Sequence, residues 1–412
     1  MHDFLDELAS LRRFGMKPGL DAISRLCAAL GDPQKHVRAI HVAGTNGKGA
    51  VCAMLDECLR ADGFSTGRYT SPHLVRINER FFLDGTPVDD AALERASVKV
   101  ASAAPEGLTF FEALTAIAFL VYSEAECDFT VLETGLGGRL DATNVCRPDL
   151  CVITRIGLDH CDWLGDTVEK IASEKAGIVK HGVPIVLGRN EPSVVDVVKR
   201  RADEVGAPFH YAPDIASESD IIEPFALAGS FNRENAVTAI AAMKVLGRGN
   251  PLGLANVKWP GRFDRVGPFI IDGAHNPPAA KALASALGDL KGLSLVAGFC
   301  GDKDVDEVLS VLAPFAGRGY AVKTNNPRSL EASETAAKMR AAGIDAMACG
   351  SLEDALERCK TDASRIAEGD AQRPSALVCG SLFLAGEALV ALGTYPWRAD
   401  RFDAAESLRP SN

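Results

Sequence analysis

The sequence predicts an α/β protein of two units, each built on a mainly parallel sheet. Three observations predict it. Short apolar runs, at 37–43, 128–133, 150–154 and 183–187, alternate with longer stretches whose apolar residues recur at helical spacing. That alternation is the pattern of parallel strands joined by crossover helices. A glycine-rich turn with one lysine, Gly44-Thr45-Asn46-Gly47-Lys48-Gly49, joins the first such run to a helical stretch. Residues 247–256, rich in Gly, Pro and Asn, read as a linker, after which the alternation resumes at 269. The expected domains are 1–250 and 257–412.

Composition sets the outer bounds. A chain of 412 residues is long enough for two or three cores, and 47% hydrophobic with 24% charged residues is ordinary for a globular protein. A formal net charge of −11 argues against a general nucleic-acid or anionic-membrane surface. It leaves room for a local basic pocket. The 11 cysteines form no C-x-x-C pair and mostly sit in apolar runs, so reduced thiols, a cytoplasmic location and no zinc are expected. The acidic start Met1-His2-Asp3 does not read as a signal peptide. No apolar run approaches the ~18 residues of a membrane span. A monomer is expected.

The elements follow in order. Leu5 to Leu11 and Leu20 to Leu30 read as amphipathic helices, Val37 to Ala43 as a buried strand, and Val51 to Leu59 as a helix. The turn between the last two has the geometry of a phosphate cradle. Backbone N–H groups and a helix N-terminus face an anion, and Lys48 adds a point charge. The strict G-x-x-x-x-G-K-[ST] pattern is not met: Val42 holds the first glycine position, and Gly49 stands where a hydroxyl would bind Mg²⁺. A metal-bound nucleotide here needs metal ligands from elsewhere in the chain.

The second strand, Ser65 to Thr70, ends at Ser71-Pro72-His73-Leu74. Pro72 holds Ser71 in an extended or turned backbone, at the strand end where open α/β sheets place ligands. By itself Ser71 reads as a turn serine. Arg76 and Arg80 read equally as charges for an anionic substrate or as solvated surface. After a helix over 108–126, the strand 128–133 closes on Glu133, placed to offer Mg²⁺ an oxygen ligand. The string Gly135-Leu136-Gly137-Gly138-Arg139-Leu140-Asp141-Ala142-Thr143-Asn144 follows. Asp159-His160 comes after the strand 150–154, and Glu174-Lys175 lies in a helix over 166–180. A strand over 183–187, a helix over 192–205, a strand over 208–212 and an irregular stretch over 214–228 lead to a helix ending at Leu246. The second unit opens with a strand over 269–272, whose C-terminal end carries Asp272 and His275, and a helix over 279–290. Further strands are expected over 293–299, 319–323, 345–348 and 376–379.

These residues resemble the Mur ligase superfamily. The lysine turn resembles its P-loop, and Gly49 points to the folylpolyglutamate synthase/dihydrofolate synthase branch. The Leu-Glu-x-Gly-x-Gly-Gly-Arg-Leu-Asp-Ala-Thr-Asn string over 132–144 is the most specific element. Gly229 to Asn235, Pro260-Gly261-Arg262-Phe263, Asp272 to Pro277, Gly301-Asp302-Lys303-Asp304 and Cys379 to Phe383 follow in family order. The resemblance runs from about residue 14 to residue 386. It implies an N-terminal P-loop-type ATPase domain and a smaller C-terminal Rossmann-like domain, with the active site between them.

The implied nucleotide contacts are Gly44, Thr45, Asn46, Gly47, Lys48, Gly49, Asn235, Arg262 and Asp272. The implied metal ligands, for two Mg²⁺, are Ser71, Glu133, His160 and a Lys175 that can be carbamylated. Pro72, His73, Arg76 and Asp141 would contact the acceptor, Asp141 near its pterin. Lys48, His160, Lys175, Asp272 and His275 would carry the chemistry. The sequence departs from the family form at Phe231-Asn232, where a His-Gln pair is usual, and at Ala50, commonly Ser or Thr.

The implied reaction is ATP-dependent amide formation. A folate or dihydropteroate carboxylate is phosphorylated by ATP, and the amine of L-glutamate displaces the phosphate. Two other readings compete: a cell-wall Mur ligase with a nucleotide-linked acceptor, and a nucleotide-switch binding protein. The 132–144 string speaks against the first; Glu133, His160, Asp272 and His275 speak against the second.

Overall fold

The computed structural model describes residues 19–301, 303–366, 374–400 and 403. The helix expected over 5–11 and Asp302 lie outside the described residues.

The first sheet has eight strands: β1 (Ala39–Ala43), β2 (Thr66–Tyr69), β3 (Phe81–Leu83), β4 (Thr86–Pro87), β5 (Phe129–Glu133), β6 (Pro148–Ile153), β7 (Ile185–Leu187) and β8 (Phe209–Tyr211). Their order is β4-β3-β2-β5-β1-β6-β7-β8. β1 lies at the middle, parallel to β5 and β6. All five of its residues are buried, as expected for a parallel strand covered on both faces. Ile40 and Val42 pack under helices Lys48–Ala61 and Ser230–Leu246, whereas Ala39 faces helix Phe110–Glu124. A capping box of Thr109 and Glu112 starts that last helix.

The second sheet has six strands: β9 (Asp264–Val266), β10 (Phe269–Ile271), β11 (Leu293–Ala297), β12 (Ala316–Ala321), β13 (Ala346–Ala348) and β14 (Ala376–Cys379). Their order is β13-β12-β11-β14-β10-β9, parallel except for β9.

The sequence reading missed three short strands and a long helix, besides helices of a single turn. β3 and β4 form an antiparallel hairpin about Asp84-Gly85, whose left-handed φ values of +46° and +74° suit a tight turn. Three residues of β3 are too few to show a period. β9 is likewise three residues long. The helix Asp90–Ala103, capped by the Asp89 carboxylate, buries Leu93, Ala96 and Val100, a stripe blurred by its surrounding alanines.

The linker is a correction. Residues 247–256, expected to be the linker between the units, pack on helix Lys48–Ala61. Asn250 N–H donates to the Cys58 carbonyl at 2.8 Å, and Gly249 N–H to Asp62 at 2.8 Å. A Cβ on Gly253 would strike the Glu57 carbonyl. The segment therefore belongs to the first unit. The chain crosses to the second sheet after it, through Gly261 at φ +72°.

Candidate active site

The C-terminal edges of both sheets open onto one cavity of about 1110 Å³. From the first unit it is lined by Thr45, Asn46, Gly47, Lys48, Gly49, Ser71, Pro72, His73, Glu133, Asp141, His160 and Asn235, and from the second by Arg262, Asp272 and His275. Gly44 and Lys175 line an adjoining pocket of about 30 Å³ together with Lys48 and His160. Of the residues singled out in the sequence, one is not brought in. Arg76 is a correction: its guanidinium is buried against Asp90, at 2.8 Å to both carboxylate oxygens, and Asp400 at 3.1 Å. Two carboxylates already occupy its terminal nitrogens, and it does not line the cavity. Arg80 lines it instead.

The lysine turn is shaped by what a side chain would meet. Gly47 caps the helix at φ +85°, and a Cβ there would strike the Asn235 amide oxygen. A Cβ on Gly49 would strike the Trp259 ring. The N–H groups of Thr45 and Asn46, expected to face an anion, instead donate to the Arg155 carbonyl at 3.0 and 3.2 Å. That bridge holds the loop. Helix geometry leaves the N–H groups of 47–50 without intrahelical acceptors, so the anion-facing set starts at Gly47.

Lys48 opens the helix; its Nζ lies 3.9 Å from Glu133 Oε1 and 3.3 Å from the Thr45 carbonyl. Glu133, at the end of β5, accepts from Ser71 N–H at 2.9 Å through its other oxygen. Burial raises the Glu133 carboxyl above its usual range, against the pull of Lys48. Among the described residues no three His, Cys, Asp or Glu side chains gather into a metal site. Mg²⁺ does not need one: it commonly takes one or two carboxylates and completes its shell with phosphate and water. Glu133, with one oxygen turned toward the cavity, and Ser71 beside it fit that use.

His160 stands at φ +51° beside Asp159, and its imidazole is held below its ordinary value by burial. Such strained backbone clusters at functional sites. Phe263 is the second such residue here, at φ +60°. Its N–H donates to Asp272 Oδ2 at 2.9 Å, and Ala274 N–H donates to Oδ1 at 2.8 Å. Burial lifts the Asp272 carboxyl to about 6, although Arg262 opposes the rise. His275 donates from Nδ1 to the Gly273 carbonyl at 2.8 Å, since a carbonyl only accepts. Nε2 is then the acceptor, and burial with Lys303 nearby holds the imidazole down at about 4, hence neutral.

Asp141 is buried, accepting from Leu136 N–H at 2.8 Å and from Thr143 N–H at 3.0 Å. Lys175 donates to the Gly44 carbonyl at 2.7 Å, and burial, then Lys48, pulls its ammonium down to about 7. Phe231 and Asn232 also line the cavity; the Phe231 ring meets Phe263 edge-on at 6.3 Å, and Asn232 is buried with its amide on the Ala228 carbonyl at 2.7 Å. Sequence reasoning missed Arg328 and Lys281, cations lining the second unit's side. No local pattern marks them, since only the tertiary fold brings them to the cleft.

A phosphate loop on one parallel-sheet unit, facing a carboxylate and a neutral imidazole on another, defines a two-unit nucleotide-dependent enzyme of the Mur ligase class. Residues 42–243 match the Mur ligase middle domain and 261–374 the Mur ligase glutamate ligase domain. The chain belongs to the folylpolyglutamate synthase/dihydrofolate synthase family. It is 34% identical over 444 residues to a dihydrofolate synthase/folylpolyglutamate synthase of Mycobacterium tuberculosis, covering 92% of this chain and 91% of that one. A solved Mycobacterium tuberculosis folylpolyglutamate synthase complexed with ADP matches with a TM-score of 0.86 at 32% identity, over 96% of this chain and 99% of that one. The Escherichia coli FolC structure in complex with DHPP and ADP matches at 0.82 and 31%, over 95% and 97%. Among the described residues no helix is long and apolar enough to cross a membrane.

Proposed function

We propose that this chain is an ATP-dependent ligase that joins L-glutamate to a folate or dihydropteroate carboxylate through an acyl phosphate. The observation that carries the reading is the single cavity shared by Lys48 and Glu133 with Asp272 and His275. A carboxylate is a poor acyl donor, so its oxygen attacks the γ-phosphorus of ATP and ADP leaves. The amine of glutamate then attacks the acyl carbon and inorganic phosphate leaves. The protein's part is to position these groups and to offset charge on the transferring phosphoryl group.

Lys48 and the N–H groups from Gly47 onward hold the phosphates, with Asn235 behind Gly47. Arg262, oriented beside Asp272, reaches them from the second unit. Glu133, Ser71 and His160 would hold Mg²⁺, which when bound polarises the phosphoryl oxygens. They thereby supply what Gly49 and Ala50 lack. Pro72, His73 and Asp141 lie on the acceptor side. Neutral His275, with Nε2 as acceptor, suits the glutamate ammonium, which must lose a proton before it attacks. The mostly buried, free thiols suit a reducing cytoplasm.

The test is ATP consumption by the purified chain with glutamate and either dihydropteroate or tetrahydrofolate. ADP release that requires both acceptor and glutamate, with a product heavier by one glutamyl residue, is expected. ADP release without an acceptor, or none with either acceptor, rejects the reading.

Lys175 gives a second prediction. Carbamylation needs the neutral amine, which adds to CO₂ and releases a proton. With the ammonium lowered to about 7, the amine fraction is small at pH 6 and dominant at pH 8. Carbamate occupancy should therefore rise across that window. The pocket beside Lys175 has room for about one water, so Leu164 or His160 must shift to admit the group. Carbon-13 NMR with labelled bicarbonate should show a carbamate signal that grows from pH 6 to pH 8 and is absent in Lys175→Arg. No signal at pH 8 removes carbamylation from the scheme.

A further inference from the structure

We propose that residues 395–400 and Asp403, near the C-terminal end of the described chain, form a strap that positions the acceptor loop 71–80, acting through His73 on Arg80. The inference rests on the reading of this loop as part of the acceptor site.

The loop leaves β2 in the first unit, yet Leu74 and Val75 are buried in the core of the second sheet. After the helix Leu382–Ala391, the chain returns to this loop. The Trp397 ring stands edge-on to Phe82 at 5.1 Å and to Tyr395 at 5.7 Å. Asp400 holds Arg76 at 3.1 Å. Asp403 ties the loop at three points. Its N–H donates to the Val75 carbonyl at 2.7 Å, its carboxylate accepts from Ile77 N–H at 3.0 Å, and its carbonyl meets His73 Nε2 at 3.1 Å.

The last contact fixes a proton. A carbonyl only accepts, so Nε2 carries the hydrogen and Nδ1 is left as an acceptor. Arg80 Nε donates to that Nδ1 at 3.0 Å. The Arg80 side chain is 1% exposed and lines the cavity, and both its terminal nitrogens are buried with no hydrogen-bond partner among the described residues. Burying a guanidinium whose terminal N–H groups lack acceptors is costly. Its planar fork matches a carboxylate or phosphate group. The strap thus sets the tautomer of the histidine that aims the arginine at an acceptor's anionic group. Strap residues are positioning residues; none of the described ones lines the cavity.

The experiment compares the full chain with a chain ending at Pro396 and with the full-length double variant Trp397→Ala, Asp400→Ala. The expected result is a tenfold or larger rise in KM for the folate acceptor. KM for ATP and for glutamate should stay within twofold, and amide hydrogen exchange at 73–80 should become faster. A synthetic 395–412 peptide added to the shortened chain should restore the acceptor KM. If the shortened chain does not fold, the double variant carries the same readouts. An unchanged acceptor KM, or equal rises for acceptor and ATP, overturns the strap. If wild-type protein turns over no folate, the ligase reading has failed instead; exchange at 73–80 then decides alone, and no difference between wild type and double variant overturns the strap.

Discussion

Replacing Lys48 by alanine lowers kcat/KM by at least about 10²-fold, roughly 3 kcal/mol of lost transition-state stabilisation, while the melting temperature stays near that of wild type. The two halves of this expectation have separate causes. Lys48 is the first residue of its helix and its side chain belongs to none of the apolar clusters. Alanine is the best helix former, so the substitution asks nothing of the fold. The loss is electrostatic. Among the described residues Lys48 is the cation that pairs with the buried Glu133 carboxylate, and it is the first influence holding that carboxyl down against burial. Without it, Glu133 protonates more readily, and residual activity should lose its low-pH limb at a higher pH than wild type. Single-turnover phosphoryl transfer and a thermal melt measure both halves. Wild-type kinetics in Lys48→Ala would sink the phosphate-cradle reading.

The same residues show what sequence can and cannot carry. The strand–turn–helix over 39–61 was legible because its apolar run and its glycines are local signals. So were Glu133 and Asp272, each a carboxylate closing an apolar strand. What lies between the units was not legible in the same way. Arg76 and Arg80 are four residues apart in one loop, with the same charge, and nothing local separates their fates. The fold does: Asp90 and Asp400, from a helix not foreseen and from the far end of the chain, claim Arg76. Arg80 is left for the cavity. The linker misled for a related reason. Gly, Pro and Asn mark a change of backbone direction, not freedom to move, and residues 249–255 spend theirs on the surface of a helix. That the N–H groups of Thr45 and Asn46 are taken by the carbonyl of Arg155 was not legible either, because Arg155 is distant in sequence.

The second large effect is expected at Glu133. Glu133→Gln should cut turnover by about 10³-fold, roughly 4 kcal/mol, and raise the Mg²⁺ concentration needed for half-maximal rate. The substitution is nearly isosteric, and this matters for what it tests. The glutamine amide oxygen can still accept from Ser71 N–H, the bond that ties β5 to the acceptor loop. The loop should keep its place. What disappears is the negative charge, the one carboxylate at the end of β5 able both to ligate Mg²⁺ and to face Lys48. Because burial already disfavours that charge, the neutral amide should cost the apo fold little, and a small gain in stability is consistent with the raised carboxyl. Ser71→Ala separates the two contributions. It removes a neutral hydroxyl ligand and leaves the backbone N–H, so its loss should be smaller than that of Glu133→Gln. Rates measured across a Mg²⁺ titration for both variants give the order. If both retain wild-type Mg²⁺-dependent turnover, the metal is held elsewhere, and the absence of a hydroxyl at Gly49 and Ala50 needs another explanation.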